Sequence, residues 1–339
     1  MIRKRLTVLF VLFLSLCFPI QALANIATSE PLVFGAWDLV NALAWSPDGS
    51  LLAVASGTNV IVFQVSDWKR LASFDTGAFA QDLVFSSNGT WLAEASRDGK
   101  IRLWNTNKEN LVTGSFDPQK TILAHKKGAN SLVFDPSGAM IVSGGNDAVA
   151  RSWDLQTAEL TGEIIGGTYA VPSVTFQPGK NLLAVVNGHT IRLRESSNGQ
   201  IWGTFLADAP LFDAAFSPDG KFLAASDTEN GIQLWEVASA FRSGVDDYPG
   251  PVYRVTHSGK TGSFTALVWE IAFSPDGLLL ASAGGDGSVR LWEAATGKLV
   301  QIFPGHQGGA TSLAFSPDGN WLASGGLDSA VRFWKVKAP

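Results

Sequence analysis

One short pattern recurs seven times in this chain of 339 residues, and it constrains the fold more than any other feature. Each copy is an aromatic residue followed by a turn segment, most often Ser-Pro-Asp-Gly, in which proline presets one dihedral angle and glycine accepts a positive φ. Successive aromatics are 40, 49, 42, 40, 57 and 42 residues apart. They are Trp45, Phe85, Phe134, Phe176, Phe216, Phe273 and Phe315.

Each unit has the plan of a four-stranded antiparallel sheet. In the last unit a strand ends at Phe315, a turn follows, and a second strand begins at Trp321. A glycine-rich turn then leads to a third strand that ends at Trp334. A period of about 40–45 residues with four strands per unit is typical of a β-propeller. The sequence therefore predicts an all-β fold with seven blades.

Tryptophan ends the third strand in five of the seven units, and in one of them aspartate follows it. With this signature the chain resembles the WD40-repeat family of β-propellers over residues 31–336. Phe63 and Arg194 replace the tryptophan in the first and fourth units, so those two repeats are degenerate. The five tryptophans are Trp104, Trp153, Trp235, Trp292 and Trp334.

The resemblance implies a hydrogen-bonded set of histidine, serine, aspartate and tryptophan within a blade. Two blades match it in full, with the same spacings of 18, 4 and 6 residues. The same spacing in separate blades favours a repeated structural network over a hydrolase triad. The two sets are His125, Ser143, Asp147 and Trp153, and His306, Ser324, Asp328 and Trp334. A sixth-blade set keeps Ser282, Asp286 and Trp292, with His257 displaced by an insertion.

The two ends of the repeat region are complementary. Residues 31–34 precede the first inner strand and have no blade of their own, whereas the last blade ends at Trp334 with three strands. We therefore expect residues 31–34 to complete the seventh blade. This pairing closes the ring and leaves no open edge.

The first 24 residues have the layout of a secretory signal peptide. Basic residues at positions 3–5 precede an apolar stretch from Leu6 to Ile20, and Ala22-Leu23-Ala24 forms a cleavage site. The sequence predicts export to the periplasm, cell surface or medium, with residues 25–339 as the propeller. An uncleaved anchor is the alternative, although 15 apolar residues are few for a membrane span of about 20. The single cysteine, Cys17, lies in the predicted signal.

The rest of the sequence favours binding over catalysis. The four histidines form no metal-binding motif, so neither a metal site nor a cofactor is expected. A net charge of −5 gives no sign of the basic surface that binds nucleic acid. We expect a monomeric, non-catalytic scaffold that binds a protein partner. The alternative is a hydrolase, a lyase or a small-ligand binder that uses the central channel, with Asp82, Asp213 and Glu270 as its nearest candidate residues.

In the WD40 family, the residue four before the repeat aromatic lies at the mouth of the central channel. Five of the seven are small or polar here, but Phe212 and Trp269 are large aromatics in adjacent blades. With Gln81 and Asn130 they are the predicted partner-binding residues. The alternative is that the aromatics pack on each other and on an insertion at residues 258–267. The seven residues are Asn41, Gln81, Asn130, Pro172, Phe212, Trp269 and Thr311.

We predict that the mature protein begins at Asn25, because a signal peptide is cut after the small residues of its cleavage site. Amino-terminal sequencing of the protein recovered from the cell envelope checks this. Recovery of a chain that still begins at Met1 would indicate an anchor instead.

Overall fold

The computed structural model describes residues 32–35, 38–107, 117–165, 167–241, 248–257 and 267–336. Within these ranges the chain forms 28 strands and a short 3₁₀ helix, Val237–Phe241. The strands form seven four-stranded antiparallel sheets, which confirms the predicted seven-bladed propeller. The predicted signal peptide lies outside the described residues.

Six blades are formed by four strands that are consecutive in the chain. Blades 1 to 3 comprise β2 (Val40–Trp45), β3 (Leu51–Ser56), β4 (Asn59–Gln64), β5 (Lys69–Asp75); β6 (Ala80–Phe85), β7 (Trp91–Ser96), β8 (Lys100–Asn105), β9 (Lys120–Leu123); and β10 (Ala129–Phe134), β11 (Met140–Gly145), β12 (Val149–Asp154), β13 (Leu160–Ile165). Blades 4 to 6 comprise β14 (Val174–Phe176), β15 (Leu182–Asn187), β16 (Thr190–Glu195), β17 (Ile201–Leu206); β18 (Leu211–Phe216), β19 (Phe222–Asp227), β20 (Gly231–Glu236), β21 (Tyr253–Thr256); and β22 (Val268–Phe273), β23 (Leu279–Gly284), β24 (Ser288–Glu293), β25 (Leu299–Pro304). Blade 7 comprises β26 (Ala310–Phe315), β27 (Trp321–Gly326), β28 (Ala330–Lys335) and β1 (Leu32–Gly35).

The repeated turns have the geometry that their sequence requires. The glycine of all seven turns has φ between +68° and +73°, a conformation that side chains with a Cβ rarely adopt. In the first turn, Ser46 Oγ donates to Asp48 Oδ1 at 2.6 Å and accepts from the N–H of Leu51 at 2.9 Å. The serine and the aspartate thus satisfy polar groups where the ladder between the first two strands ends.

The first strands of the seven blades contact one another in a closed cycle around the central channel. Further out, an aromatic residue of one outer strand packs on the tryptophan of the next blade. Phe74 stacks on Trp104 with ring centroids 4.5 Å apart, and Phe303 stacks on Trp334 at 4.9 Å. The second strands are buried on both faces, which explains their continuous apolar sequences.

Blade 4 departs from the regular pattern. Its first strand spans only Val174–Phe176, while the first strand of every other blade has six residues. Pro172, four residues before the repeat aromatic, has no N–H to donate to a ladder, which is consistent with the shorter strand. Arg194 replaces the tryptophan of this blade, and its guanidinium donates to the carbonyl of Gly199 at 3.0 Å.

The amino-terminal strand closes the ring, as the sequence predicts. Strand β1 pairs antiparallel with β28, with Leu32 opposite Phe333 and Gly35 opposite Ala330. The paired segment is Leu32–Gly35, which is one residue later than the expected range of 31–34, and Pro31 lies outside the described residues.

An aromatic cluster holds this closing strand in place. The ring of Trp68, from the turn between β4 and β5, lies 5.1 Å from Phe34 and 4.5 Å from Phe333 between centroids. Trp45 contacts both Trp68 and Phe333. Trp68 has a φ of +56°, a conformation that costs about 1–3 kcal/mol in a non-glycine residue. Packing against blade 7 offsets that cost, so this turn is part of the closure.

Removal of the closing strand should destabilise the propeller. A chain shortened to begin at Gly35 loses the ladder to β28 and the contacts of Phe34, which should lower the free energy of unfolding by several kcal/mol. Phe34→Ala alone should cost about 2 kcal/mol, since this ring is half-buried. Val33→Ala is the matched control, because Val33 is 49% exposed and should change stability little. Denaturant unfolding measures all three variants, and an unchanged midpoint for the shortened chain contradicts closure by this strand.

Candidate partner-binding surface at the channel mouth

The structure brings the residues of the first predicted set together in blade 3. His125 Nε2 lies 2.8 Å from Ser143 Oγ, and His125 Nδ1 lies 2.8 Å from Asp147 Oδ1. The indole N–H of Trp153 donates to Ser143 Oγ at 3.1 Å. Gly145, two residues after the serine, makes room for the histidine, since a Cβ there would lie 2.1 Å from His125 Nδ1.

Blades 7 and 6 repeat this arrangement. His306 lies 2.8 Å from both Ser324 Oγ and Asp328 Oδ1, and the indole N–H of Trp334 donates to Ser324 at 2.8 Å. In blade 6, His257 Nε2 lies 2.6 Å from Ser282 Oγ, so it occupies the equivalent position despite the insertion that follows it. Its Nδ1 is 3.6 Å from Asp286, a longer distance than in the other two blades.

An arginine extends these sets, and sequence reasoning missed it. Arg151 Nη1 lies 2.7 Å from Asp147, and Arg332 Nη1 lies 2.7 Å from Asp328. The arginine always follows the aspartate by four residues, a spacing that the sequence contains in four blades. In the two full sets the arginines neutralise the half-buried carboxylates of Asp147 and Asp328. The other two pairs are Arg102 with Asp98 and Arg290 with Asp286.

The protonation states of these sets fit a structural role. Burial lowers the pKa of His125 and of His306. Burial alone would raise the pKa of Asp147, but hydrogen bonds from Arg151 and His125 leave it below its ordinary value. Ser143 and Ser324 are fully buried, and their hydroxyls are shared between histidine and tryptophan. A hydroxyl in this position cannot reach a substrate.

Blade 2 fills the same space with different residues. Glu94 occupies the serine position, where it accepts a hydrogen bond from Thr76 Oγ1 at 3.1 Å and lies 3.5 Å from Arg102 Nη1. Burial raises the pKa of Glu94 to about 7, although Arg102 opposes the shift. The buried indole N–H of Trp104 has no partner among the described residues, because no serine hydroxyl is present to accept it.

A second system of hydrogen bonds joins neighbouring blades at the channel. The residue three before the repeat aromatic accepts from a backbone N–H of the next blade at five interfaces. The donor–acceptor distances are 2.7 Å for Leu132 to Asp82, 3.2 Å for Val174 to Ser131, 3.2 Å for Ala214 to Ser173, 3.0 Å for Ile271 to Asp213 and 3.0 Å for Leu313 to Glu270. We call these five side chains the interblade acceptors.

The acidic interblade acceptors are the residues that the alternative channel enzyme would need. Each is half-buried on one of the first strands that surround the channel. Burial raises the pKa of Asp82 to about 7 and that of Asp213 to about 6. Burial and the charges of the other two carboxylates raise the pKa of Glu270 well above its ordinary range. Each carboxylate accepts a backbone hydrogen bond, so these acids join blades.

The candidate partner-binding residues occupy β-bulges. In six blades the pairing of the first two strands skips the residue four before the repeat aromatic. A bulge leaves one residue unpaired and redirects its side chain. Three polar bulge residues donate to the next blade: Asn41 to the carbonyl of Ala80 at 3.0 Å, Asn130 to that of Val171 at 3.2 Å, and Thr311 to that of Val40.

Phe212 and Trp269 are bulge residues of a different kind. Their ring centroids are 5.5 Å apart with the planes inclined by 42°, and both side chains are half-buried. The indole N–H of Trp269 has no hydrogen-bond partner among the described residues. The structure thus brings these two together, as the sequence predicts for adjacent blades. Residues 258–266 of the insertion lie outside the described residues.

Gln81 and Asn130 do not join the aromatic pair. They lie in blades 2 and 3, with blade 4 between them and Phe212. Asn130 donates to Asn146 as well as to Val171, so its amide is occupied. Gln81 is half-buried, and in the described part of the chain its amide makes no hydrogen bond.

Two models of protein families match the sequence of this chain. The model described as WD domain, G-beta repeat matches residues 116–154, 200–236, 253–293 and 297–335. A second model, described as Anaphase-promoting complex subunit 4 WD40 domain, matches residues 43–126. The chain belongs to the WD40-repeat family. The matches reach all seven blades in whole or in part, including the degenerate first blade, but of blade 4 they cover only the outer strand β17.

Curated relatives of this WD40 propeller are similar over most of the chain. Actin-interacting protein 1 of Drosophila melanogaster is 25% identical over 81% of this chain and 42% of its own length. WD repeat-containing protein slp1 of Schizosaccharomyces pombe is 25% identical over 77% and 51%, respectively. Periodic tryptophan protein 2 of Arabidopsis thaliana is 26% identical over 78% and 30%. The chain therefore spans about a third to a half of the length of these relatives.

Two further observations on this WD40 chain concern metal binding and membrane-spanning helices. Within the residues that the structure describes, no group of three or more histidine, cysteine, aspartate or glutamate side chains could hold a metal ion. The same residues include no helix that is long and apolar enough to cross a membrane.

The raised pKa of Asp82 predicts a pH-dependent effect of its replacement. The folded-state pKa of about 7 exceeds the ordinary value of 3.8, so protonation favours the folded state and wild-type stability falls as pH rises between these values. Asp82→Asn stays neutral and can still accept from Leu132. Its melting temperature relative to wild type should rise between about pH 5 and pH 7, by about 2 °C or more per pH unit.

Asp219→Asn is the matched control, because hydrogen bonds from Lys221 and Ser217 lower the pKa of Asp219 to about 2. Its difference from wild type should stay constant over the same range. Thermal melts of the two variants at several pH values provide the measurement. A constant difference for Asp82→Asn contradicts the assignment of a raised pKa.

Proposed function

We propose that this WD40 propeller is a non-catalytic scaffold that binds a protein partner at the channel mouth, around Phe212 and Trp269. The half-exposed aromatic pair at equivalent bulges of blades 5 and 6 carries the proposal. Aromatic side chains beside polar groups are enriched in the centres of protein interfaces.

The repeat itself does not require aromatics at these bulges. At three equivalent positions a polar side chain donates to the carbonyl of the next blade and so joins two blades. Phe212 cannot donate such a bond, and the Trp269 indole makes none with the described residues. The interfaces of blade 5 with blade 6 and of blade 6 with blade 7 therefore lack the hydrogen bond that a bulge side chain makes at those three positions, and they carry apolar surface there instead, which favours a binding role.

The channel acids support a scaffold over an enzyme. Asp82, Asp213 and Glu270 each accept a backbone N–H of the neighbouring blade, and the serines of the histidine sets are buried. A catalytic acid or base needs contact with a substrate. One relative is named for an interaction with actin, which supports a binding role without naming the partner of this chain.

We also propose that the propeller acts outside the cytoplasm. The basic residues 3–5, the apolar stretch from Leu6 to Ile20 and the site at Ala24 support export. Removal of this segment also removes Cys17, so the mature chain would contain no thiol that an oxidising compartment could modify.

The double variant Phe212→Ala/Trp269→Ala tests the binding surface. The partner is captured with the mature chain from its own envelope fraction, identified by mass spectrometry, and titrated as a purified protein. The variant should weaken binding by at least about a hundredfold, since each central aromatic contributes about 2 kcal/mol and about 1.4 kcal/mol corresponds to tenfold.

Trp202→Ala/Phe241→Ala is the matched control, because it removes the same two residue types from the outer rim, where they are 50% and 46% exposed. It should bind normally. Melting of both variants separates packing from binding. A destabilised Phe212/Trp269 variant whose folded fraction binds like wild type would show that the aromatics serve only as packing.

A further inference from the structure

Three exposed cations lie in two adjacent loops near the channel mouth at blades 2 and 3. Arg97 lies in the turn between β7 and β8, and Lys126 and Lys127 lie in the loop between β9 and β10. The two segments touch, since a Cβ at Gly128 would lie 3.3 Å from the carbonyl oxygen of Arg97. We call Arg97, Lys126 and Lys127 the cationic cluster.

Hydrogen bonds connect the cationic cluster to the channel mouth. The amide of Asn146 donates to the carbonyl of Lys127 at 3.2 Å and accepts from the amide of the bulge residue Asn130 at 2.9 Å. On the other side, the N–H of Arg97 donates to the carbonyl of Phe79 at 2.9 Å, two residues before the bulge residue Gln81. The cluster therefore borders the mouth at both bulges.

The cationic cluster differs from the other basic residues on this face. Arg102, Arg151, Arg254, Arg290 and Arg332 each form an ion pair with an aspartate. Among the described residues, none of the three cationic side chains forms an ion pair with an acidic side chain. Adjacent like charges repel, and the fold gains no ion pair from them. In a chain of net charge −5, such a local excess of positive charge is complementary to an acidic ligand.

We propose that the partner contributes an extended acidic segment, whose carboxylates bind the cationic cluster while an apolar side chain packs on Phe212 and Trp269. This inference rests on the proposed function and names the chemistry of the partner. Blade 4, with Pro172 at its mouth position, separates the cationic and aromatic contacts. The segment therefore carries its acidic and apolar residues several positions apart, so that one chain reaches both.

Selection from a random displayed library of peptides of about 12 residues, with the mature chain as bait, tests the inference without a known partner. The selected sequences should be enriched in aspartate and glutamate on one side of an apolar residue. Binding of synthetic copies should weaken at least about tenfold in Arg97→Glu/Lys126→Glu/Lys127→Glu. It should also weaken in wild type as salt rises from about 50 to about 500 mM, because exposed charges are screened.

Lys180→Glu/Lys298→Glu/Lys335→Glu is the matched control, because it makes the same change of charge at exposed lysines on the opposite face. It should bind the peptides like wild type, and melting curves verify that both triple variants fold. Equal weakening in both variants would indicate a response to net charge and overturn the proposal.

The remaining outcomes separate the two proposals. Peptides that need Phe212 and Trp269 but show no acidic enrichment and no response to reversal of the cluster would overturn the acidic segment and leave the binding surface standing. Selection of no peptide, or of peptides indifferent to both sets of variants, would count against both. A duplex oligonucleotide that binds the cluster more tightly than the acidic peptides would replace the protein segment with a nucleic acid.

Discussion

The pairing of β1 with β28 is the contact on which the rest of the ring depends. Six blades form from consecutive segments of the chain, but blade 7 takes its outer strand from the opposite end. Only four residues form this strand, so its backbone ladder is short. The aromatic contacts among Phe34, Trp68 and Phe333 add apolar burial at the place where the first and last strands of the propeller meet. Because neighbouring blades pack face to face, a ring that opened here would expose the facing surfaces of blades 7 and 1.

Buried polar groups are the second constraint, because each needs a partner once it leaves water. In the propeller, two layers of hydrogen bonds satisfy many of these groups. The histidine sets join the strands of a blade and are neutralised by arginine, while the interblade acceptors join the first strands around the channel. Asp82, Asp213 and Glu270 belong to the inner layer, where burial raises the pKa of all three. From the sequence alone, these hydroxyls and carboxylates could be interpreted as catalytic groups. In the structure they form hydrogen bonds that hold the fold together.

The β-bulges at the channel mouth have two different roles, interblade hydrogen bonding and the exposure of apolar surface. Asn41, Asn130 and Thr311 join a blade to its neighbour, whereas Phe212 and Trp269 present apolar surface at the same backbone position. With the cationic cluster across blade 4, the mouth carries an apolar side and a positive side. Such a surface can distinguish one partner from another by charge as well as by shape.

The sequence by itself determined the number of blades, the turns, the two full histidine sets and the closure by the amino-terminal strand. These features depend on spacings that repeat, so each copy supports the others. It also predicted that Phe212 and Trp269 would be neighbours, because they occupy the same position in adjacent repeats. The spacing of four residues between aspartate and arginine is also visible in the sequence, but only the observed contacts show that the two side chains form ion pairs.

Only the tertiary structure decided which groups meet across blade boundaries. Trp68 contacts Phe333 although 265 positions separate them in the chain, and Leu132 donates to Asp82 across 50. The structure also places the closing strand at Leu32–Gly35, one residue later than the sequence predicts. It shows that the channel acids form hydrogen bonds between blades. No local spacing encodes these contacts, because they form only after the ring has closed and brought distant strands to hydrogen-bonding distance.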